Sequence, residues 1–216
     1  METIWIIGAG HFGRLAVKRI AQRKPDCRLV VVEKDPTKLA EAKAMANIVA
    51  CRGNGIDFLD QYLAPGARVD WIIPCLPQHL VWEWCRRQLG DPHFMIGPTP
   101  EGLLSALPNL HKGEDGHLYT SHASFLCPDN CSEPAEICSI TREPRKQAMH
   151  EYLAHLHPQG FRHQVLQSHQ LFPGVGGLKP MEMLGLLAQI LDHPGKTLVS
   201  TACKCHAVVT PTLFIP

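Results

Sequence analysis

No stretch of 18 or more uncharged apolar residues occurs in this sequence of 216 residues, so we expect no membrane-spanning helix. The formal net charge of +1 provides no basic surface for nucleic acid. The N-terminus lacks a basic segment followed by a cleavable apolar stretch, because a β-prone run begins within four residues. These absences argue against membrane insertion, nucleic-acid binding and export, and they predict a cytoplasmic protein.

A glycine-rich turn directly follows the first apolar run. Residues 4–7 are followed by Gly8-Ala9-Gly10-His11-Phe12-Gly13. Gly8 permits a sharp turn from strand to helix, Gly10 lets a pyrophosphate approach bare backbone, and Gly13 permits close helix packing. The helix N-terminus that follows attracts phosphate through its free N–H groups and its dipole. The turn therefore predicts a dinucleotide site formed by residues 8–13.

An acidic residue closes the second apolar run. Residues 29–32 lead to Glu33, which lies twenty residues after Gly13. A carboxylate at this place accepts hydrogen bonds from ribose hydroxyls and repels a 2′-phosphate. No arginine follows it directly, although Lys34 is the next residue. We therefore predict NAD as the cofactor in preference to NADP. The alternative is a fold of this type whose crevice is vacant or used differently.

Strand and helix patterns alternate as far as residue 97. Strands are predicted at 48–51, 69–73 and 94–96, and helices begin after Asp35 and span 56–63 and 80–89. This alternation is typical of a doubly wound parallel Rossmann sheet, whose ligand lies beyond the carboxyl ends of the strands. The predicted fold class is α/β, with this sheet followed by a smaller α/β unit that contains cysteines.

Two loops lie at the predicted carboxyl ends of later strands. Asn54 follows the third strand and is expected near the adenine, whereas Cys75 and Pro77 follow the fourth strand and are expected near the nicotinamide. Cys75 also suits a purely structural position. His79 is a candidate proton donor or acceptor. The alternative for His79 is a histidine that caps or flanks the start of a helix.

The motifs of the first 95 residues or so resemble the TrkA-N nucleotide-binding domain. The resemblance is carried by residues 6–13, 31–36 and 70–73 and by Gly53-Asn54-Gly55, where the family usually has Gly-Asp. TrkA-N domains are NAD-binding regulatory modules of potassium transporters and channels, and their fold is also similar to the dinucleotide half of saccharopine dehydrogenase-like proteins. The resemblance implies NAD or NADH binding and a transporter partner. Nothing after residue 100 resembles the ligand-binding tail that usually follows.

The second half has a different composition. Residues 98–134 are rich in proline, glycine, histidine and polar residues, so we expect a long connection ordered by something other than a hydrophobic core. The predicted domains are a dinucleotide-binding domain at 1–97, a connecting segment with a cysteine-rich loop at 98–136, and a second α/β unit at 137–216. In that unit we predict strands at 137–141 and 197–209 and helices at 145–156 and 181–191.

Five of the nine cysteines form two tight groups. Cys127, Cys131 and Cys138 lie in the connecting segment and just after it, and Cys203 and Cys205 lie near the C-terminus, where they would share one face of the last strand. Thiolates this close together need a cation at neutral pH. An iron–sulfur cluster, zinc, or free and transiently oxidised thiols are all compatible with the spacing. His206 is an alternative ligand.

Two functions compete on these grounds. The first is an NAD-dependent oxidoreductase that passes electrons between nicotinamide and either a cysteine-held centre or a small substrate, for which the cysteines must converge near the dinucleotide crevice. The second is a non-catalytic sensor of NAD or NADH that acts through a dimer interface or a transporter partner. We favour the first because five clustered cysteines are unusual in a purely regulatory domain.

Overall fold

The computed structural model describes residues 1–216 as an α/β protein with two main sheets. The first half alternates strands and helices as predicted. Its elements are β1 (Thr3–Ile7), α1 (His11–Arg23), β2 (Arg28–Glu33), α2 (Pro36–Met45), β3 (Val49–Arg52), α3 (Gly55–Tyr62), β4 (Trp71–Pro74) and α4 (Leu80–Leu89). None of the helices of the chain is both long and apolar enough to cross a membrane.

The four strands of the first half form an all-parallel sheet in the order β3-β2-β1-β4. Successive residues of β1 and β2 point to opposite faces, and both faces are covered. Helices α1 and α2 contribute to one buried cluster, which includes Ile6 and Val31, and α3 and α4 contribute to the other, which includes Ile7 and Val32. The predicted Rossmann-type α/β fold is confirmed.

The second half builds a mixed sheet and a separate hairpin. The sheet has the order β6-β7-β12-β11-β8, and β5 also pairs with β12. The hairpin is formed by β9 and β10. The elements are β5 (Phe94–Ile96), α5 (Leu103–Ala106), β6 (His111–Lys112), β7 (Leu118–Ser121), α6 (Met149–Ala154), β8 (Arg162–Gln167), β9 (His169–Phe172), β10 (Val175–Gly177), α7 (Pro180–Asp192), β11 (Gly195–Ala202) and β12 (His206–Phe214).

Several predicted elements after α4 differ from those in the structure. The strand at 94–96 exists, but it pairs antiparallel with β12 and is not a fifth strand of the parallel sheet. The predicted strand at 137–141 is reduced to one isolated bridge between Ile137 and Pro144. The single strand at 197–209 is two antiparallel strands, because Ala202 pairs with Ala207 and the chain must reverse between them. Cys203 and Cys205 therefore lie in a turn and do not share a strand face.

Hydrophobic cores extend through both halves of the chain. Leu103, Leu107 and Leu118 are buried in a cluster under α5 and α6, so the expectation that the connecting segment lacks a hydrophobic core is wrong for that part. The largest cluster combines residues of the parallel sheet with Leu178 and Phe214. Leu178, just after β10, also forms an antiparallel bridge with Ile72 of β4. The domain boundaries at residues 97 and 136 remain a prediction.

Candidate functional site

The glycine turn has the geometry that its sequence predicts. Gly8 has a φ of +104°, and a Cβ there would lie 2.7 Å from the carbonyl oxygen of Cys75. A Cβ at Gly13 would lie 2.0 Å from the carbonyl oxygen of Gly8. Both positions accept only glycine, because a side chain would collide with backbone. A Cβ at Gly10 would meet nothing within 4 Å, so the space in front of this residue is open.

Helix α1 presents its N-terminus to that open space. Its N-cap, Gly10, has no capping side chain, and its first turn contains no acidic residue. His11 and Phe12 are exposed there. An uncapped helix N-terminus offers N–H donors and a partial positive charge to an anion. The turn therefore leaves backbone available to a pyrophosphate.

Glu33 lies beside the glycine turn at the end of β2. It is only 8% exposed, and its carboxylate accepts hydrogen bonds from the N–H groups of Ala9 at 2.7 Å and Asp35 at 3.0 Å. Burial raises the pKa of Glu33, but these two hydrogen bonds and nearby Lys38 outweigh it, so the pKa is lowered. An ionised carboxylate accepts about four hydrogen bonds, so Glu33 retains acceptor capacity for a ribose.

Four other predicted dinucleotide contacts lie near the carboxyl ends of β2, β3 and β4. Lys34 is exposed beside Glu33. The Asn54 side chain accepts hydrogen bonds from the N–H groups of Ile56 and Asp57 and so caps α3. Pro77 is exposed after β4. Cys75 packs under the glycine turn, where burial raises the pKa of its thiol to about 12.

His79 is placed away from the open crevice. It is 2% exposed, and its Nδ1 and Nε2 atoms lie 2.7 Å and 2.9 Å from the hydroxyl oxygens of Thr210 and Thr201. Burial, together with neighbouring His117, lowers the pKa of His79 to about 3. The ring is neutral at pH 7, and both nitrogens are engaged within the protein. This geometry favours the structural alternative, and a catalytic role stays a prediction without support from its surroundings.

The five clustered cysteines converge in the structure. Cys127, Cys131 and Cys205 lie between two cavities and line both of them. Cys138 also lines the larger cavity, which has a volume of 670 Å³, and Cys203 also lines the smaller one, which has a volume of 340 Å³. We call these five residues the cysteine cluster. In the structure, no three His, Cys, Asp or Glu side chains are arranged to hold a metal ion.

A buried glutamate ties the two cysteine groups together. Glu133 is 8% exposed, and its Oε1 accepts hydrogen bonds from the N–H groups of Lys204 at 2.8 Å and Cys205 at 3.3 Å. Its own N–H donates to the sulfur of Cys131 at 3.4 Å. Glu133 has a φ of +46°, which is uncommon for a residue with a side chain. Sequence reasoning missed Glu133, because one glutamate in a polar segment carries no periodic signal.

An arginine reaches into the cysteine cluster. The Nη1 atom of Arg145 donates to the sulfur of Cys205 and to the carbonyl oxygen of Lys204, and Nη2 donates to that of Pro134. Burial raises the pKa of the Cys205 thiol, although Arg145 acts in the opposite direction. Burial and the neighbouring Cys205, Cys131 and Cys138 raise the pKa of Cys127. Arg145 also gave no signal in the sequence beyond its place near Cys138.

The cysteine cluster lies against the N-terminal turn of α1. Phe12 lines the smaller cavity together with four of the cysteines. His11 Nε2 lies 2.6 Å from Asp129 Oδ2, and Arg19 donates a hydrogen bond to the carbonyl oxygen of Asp129 at 2.8 Å. The Gly174 N–H donates to the carbonyl oxygen of Cys131 at 3.1 Å. The hairpin that contains Gly174 connects to β4 through Leu178, so the cluster lies on the β4 side of the glycine turn, opposite Glu33.

Most of the chain is similar to known proteins. The model of the family AF_1314_C, described as "Uncharacterized protein, C-terminal domain", matches residues 81–214. The chain belongs to this family. The matched residues include the mixed sheet and all five cysteines of the cluster. An "Uncharacterized protein" of Archaeoglobus fulgidus is 27% identical over 223 residues, which cover 95% of this chain and 96% of the relative. No solved structure matches.

Proposed function

We propose that this protein binds NAD(H) and links the dinucleotide to a redox-active or metal-holding centre formed by the cysteine cluster. The observation that carries this proposal is the position of the cluster against the N-terminus of α1, on the side of the glycine turn opposite Glu33. A dinucleotide on a parallel sheet extends across the point where the strand order reverses, between β1 and β4 here. Its nicotinamide half would then face the cysteines.

The dinucleotide half of the proposal depends on two features, the open backbone of the glycine turn and the carboxylate of Glu33 beside it. The pyrophosphate would rest on the backbone at Gly10, where no side chain intrudes. Glu33 would accept hydrogen bonds from the adenosine ribose and repel the 2′-phosphate of NADP. These features also support the proposed relationship to TrkA-N domains, which rests on the sequence motifs.

The thiols of the cysteine cluster are of the ligand type that a soft metal ion or an iron–sulfur cluster takes, and they would have to move closer together to hold one, because no three of them are arranged to do so in the structure. Four thiols are among the residues that line the 670 Å³ cavity, and Arg145 contributes a positive charge beside Cys205. Cys127, Cys131, Cys138, Cys203 and Cys205 are the residues that would supply ligands. An iron–sulfur cluster would supply one-electron redox chemistry, whereas zinc would lock the segment in place.

A sensor of NAD or NADH is the second candidate function. The sensor is favoured by the burial of His79. This histidine is the candidate for proton transfer, and both of its ring nitrogens are hydrogen-bonded to threonine hydroxyls within the protein. A sensor needs differential binding of the oxidised and reduced dinucleotide and no acid or base. In this function the protein would act as a dimer or with a membrane-transporter partner.

Anaerobic purification followed by metal analysis, absorption spectroscopy and NADH calorimetry tests these proposals. Bound iron, a broad absorption band at about 400 nm and a calorimetric signal for NADH would together support the redox-linked function. A colourless, metal-free protein that binds NADH would support the sensor. A protein that binds neither NAD(H), NADP(H) nor adenine nucleotides would refute both functions.

A further inference from the structure

Strand β3 forms one edge of the parallel sheet, and no other segment of the chain pairs with its outer side. The opposite edge, β4, is continued by the bridge between Ile72 and Leu178. We propose that the free edge of β3, together with the groove beside it, is a docking site for an extended acidic segment of a partner protein, which adds to the sheet as a further strand. This inference goes beyond the proposed function, since it uses neither the glycine turn nor the cysteine cluster.

The backbone of β3 presents free hydrogen-bonding groups on its outer side. The N–H group of Gly53, directly after β3, donates to the carbonyl oxygen of Glu33 in β2 at 3.1 Å. Because the N–H and C=O groups of a strand point alternately to its two sides, those of Ala50 and Arg52 point away from β2. A strand added at this edge would use these groups as its first hydrogen-bond partners.

The sequence of β3 lacks the features that usually protect the edge strand of a sheet. It contains no lysine and no proline, and its register with β2 has no bulge. Val49 is 41% exposed, and Ala50 is exposed beside it. An exposed apolar edge of this kind is a template for pairing with another chain.

An apolar groove with a volume of 650 Å³ lies between β3 and α3. Four apolar side chains, which strand alternation places on one face of the sheet, line its floor: Val30, Val32, Val49 and Cys51. The ring of Phe58 lies 4.9 Å from that of Trp5 and 4.8 Å from that of Tyr62, and these three aromatic residues also line the groove. Apolar side chains that an added strand directs to this face would therefore lie beside Val49 and the groove.

Three arginines line the same groove without a carboxylate partner. Arg28, Arg52 and Arg68 are all exposed, whereas the fourth charged residue of the lining, Asp57, is paired with Arg87 at 3.5 Å. The lining therefore carries unbalanced positive charge, which favours an acidic partner segment. A second copy of this chain, paired through its own β3, would bring a second set of arginines to the same edge, so like charges disfavour it.

A short labelled peptide tests this site on the full-length protein. The probe is fluorescein-labelled Glu-Asp-Val-Thr-Val-Thr-Val-Asp-Glu, and fluorescence anisotropy measures its affinity. One control peptide carries lysine in place of each acidic residue, and a second is N-methylated at every valine and threonine. We expect the acidic peptide to bind and the lysine peptide not to bind. The N-methylated peptide should bind at least about tenfold more weakly, because it cannot donate hydrogen bonds to β3.

Three protein variants locate the binding on the surface. Arg28→Gln should weaken binding of the acidic peptide about threefold, since it removes one of the three positive charges. Arg162→Gln is the matched control, because Arg162 is also the exposed first residue of a strand but lies outside the groove. Ala50→Pro removes an outward N–H group and spares the hydrogen bonds to β2, so it should weaken binding at least about tenfold. Circular dichroism shows whether this variant folds, and the N-methylated peptide tests the same hydrogen bonds on unaltered protein.

The contrary outcomes either exclude the site or assign it to another occupant. Equal binding of the acidic and the N-methylated peptide would show that the groove takes apolar anions without strand addition. Binding that neither Arg28→Gln nor Ala50→Pro changes would place the peptide elsewhere on the protein. A wild-type protein that sediments as a dimer, with an Ala50→Pro variant that sediments as a monomer, would assign the edge to a second copy. No binding at peptide concentrations of about 1 mM would overturn the proposal.

Discussion

The parallel sheet and the cysteine segment, residues 122–148, are held together by different forces. In the sheet region, β1 is buried along its whole length, and apolar clusters cover both faces. The cysteine segment contains no helix or strand, and it exposes large apolar side chains such as Leu126, which is 98% exposed. Its position depends on a few polar contacts to distant parts of the chain, chiefly through Glu133, Arg145 and Asp129.

This difference has consequences for stability and function. Burial of apolar area is spread over many residues, so the sheet tolerates the loss of most single contacts. A segment held by a handful of hydrogen bonds is sensitive to each of them, and it opens at lower free energy than the core. We therefore expect the sheet to provide a rigid dinucleotide platform, and the cysteine segment to respond to its ligand.

The largest effect is expected in the glycine turn. Gly13→Ala places a Cβ 2.0 Å from the carbonyl oxygen of Gly8, so the helix must move from its strand. We expect the free energy of unfolding to fall by more than about 3 kcal/mol in urea titrations. Gly10→Ala is the control, because its Cβ meets nothing and its φ is −65°. It should keep its stability within about 1 kcal/mol but lose NAD affinity. Equal effects of the two substitutions on stability would contradict this account.

The next effect is expected in the cysteine segment. Glu133→Ala leaves the N–H groups of Lys204 and Cys205 without their acceptor. We expect a loss of about 2 kcal/mol that is confined to this segment. Hydrogen exchange should then speed up in residues 127–147 and 203–206 while β1 and β2 stay protected. Glu136→Ala, an exposed glutamate of the same segment, is the control. Uniform loss of protection throughout the chain would show that the two regions unfold as one.

We expect acid to destabilise the protein through His79, which connects the first half of the chain to the mixed sheet. The unfolded chain protonates this histidine near pH 6.5, but the folded chain does so only near pH 3. The unfolded state therefore binds the extra proton in between, so this stabilisation is complete above pH 6.5 and is lost as the pH falls towards 3. We expect His79→Gln to reduce the slope of stability against pH by about 1.4 kcal/mol per unit. Urea titrations between these limits measure it, with exposed His111→Gln as the control. An unchanged slope would contradict the burial of a neutral ring.

The smallest effect is expected in cofactor preference. Glu33→Arg removes the carboxylate from the ribose and supplies a partner for a 2′-phosphate. We expect NAD affinity to fall about tenfold relative to NADP, which corresponds to about 1.4 kcal/mol. Glu33→Gln keeps an acceptor for the Ala9 N–H and should retain the preference for NAD. Calorimetry with both dinucleotides measures the ratio, and an unchanged ratio would show that Glu33 does not contact the ribose.

The parallel sheet could be predicted because its pattern is local. The glycine turn, the apolar runs of β1 and β2 and the Asp35 cap before α2 each appear within a few residues. The oxidoreductase hypothesis requires the two cysteine groups to converge. The turn between β11 and β12 brings Cys203 and Cys205 to the cavity that Cys127 and Cys131 also line.

The rest could not be predicted because it depends on distant partners. β5 lies in the mixed sheet because β12 pairs with it, although the two strands are far apart in sequence. Glu133 and Arg145 were missed because the groups that they contact, in the turn between β11 and β12, are distant from them in the sequence. The sequence around His79 indicates only a loop histidine. The hydrogen-bond partners that enclose its ring, Thr201 and Thr210, belong to the distant mixed sheet.

Protection of the cysteines by NADH tests the central claim most directly. Metal-free protein is alkylated with iodoacetamide with and without NADH at ten times its dissociation constant, and each cysteine is followed by mass spectrometry. We expect NADH to slow alkylation of Cys127 and Cys131 about tenfold, because the nicotinamide half covers the cavity that they share with Phe12. Cys27, in the turn before β2, should react at the same rate with and without NADH. Bound NADH that leaves Cys127 and Cys131 equally reactive would contradict the claim that the dinucleotide and the cysteine cluster form one site.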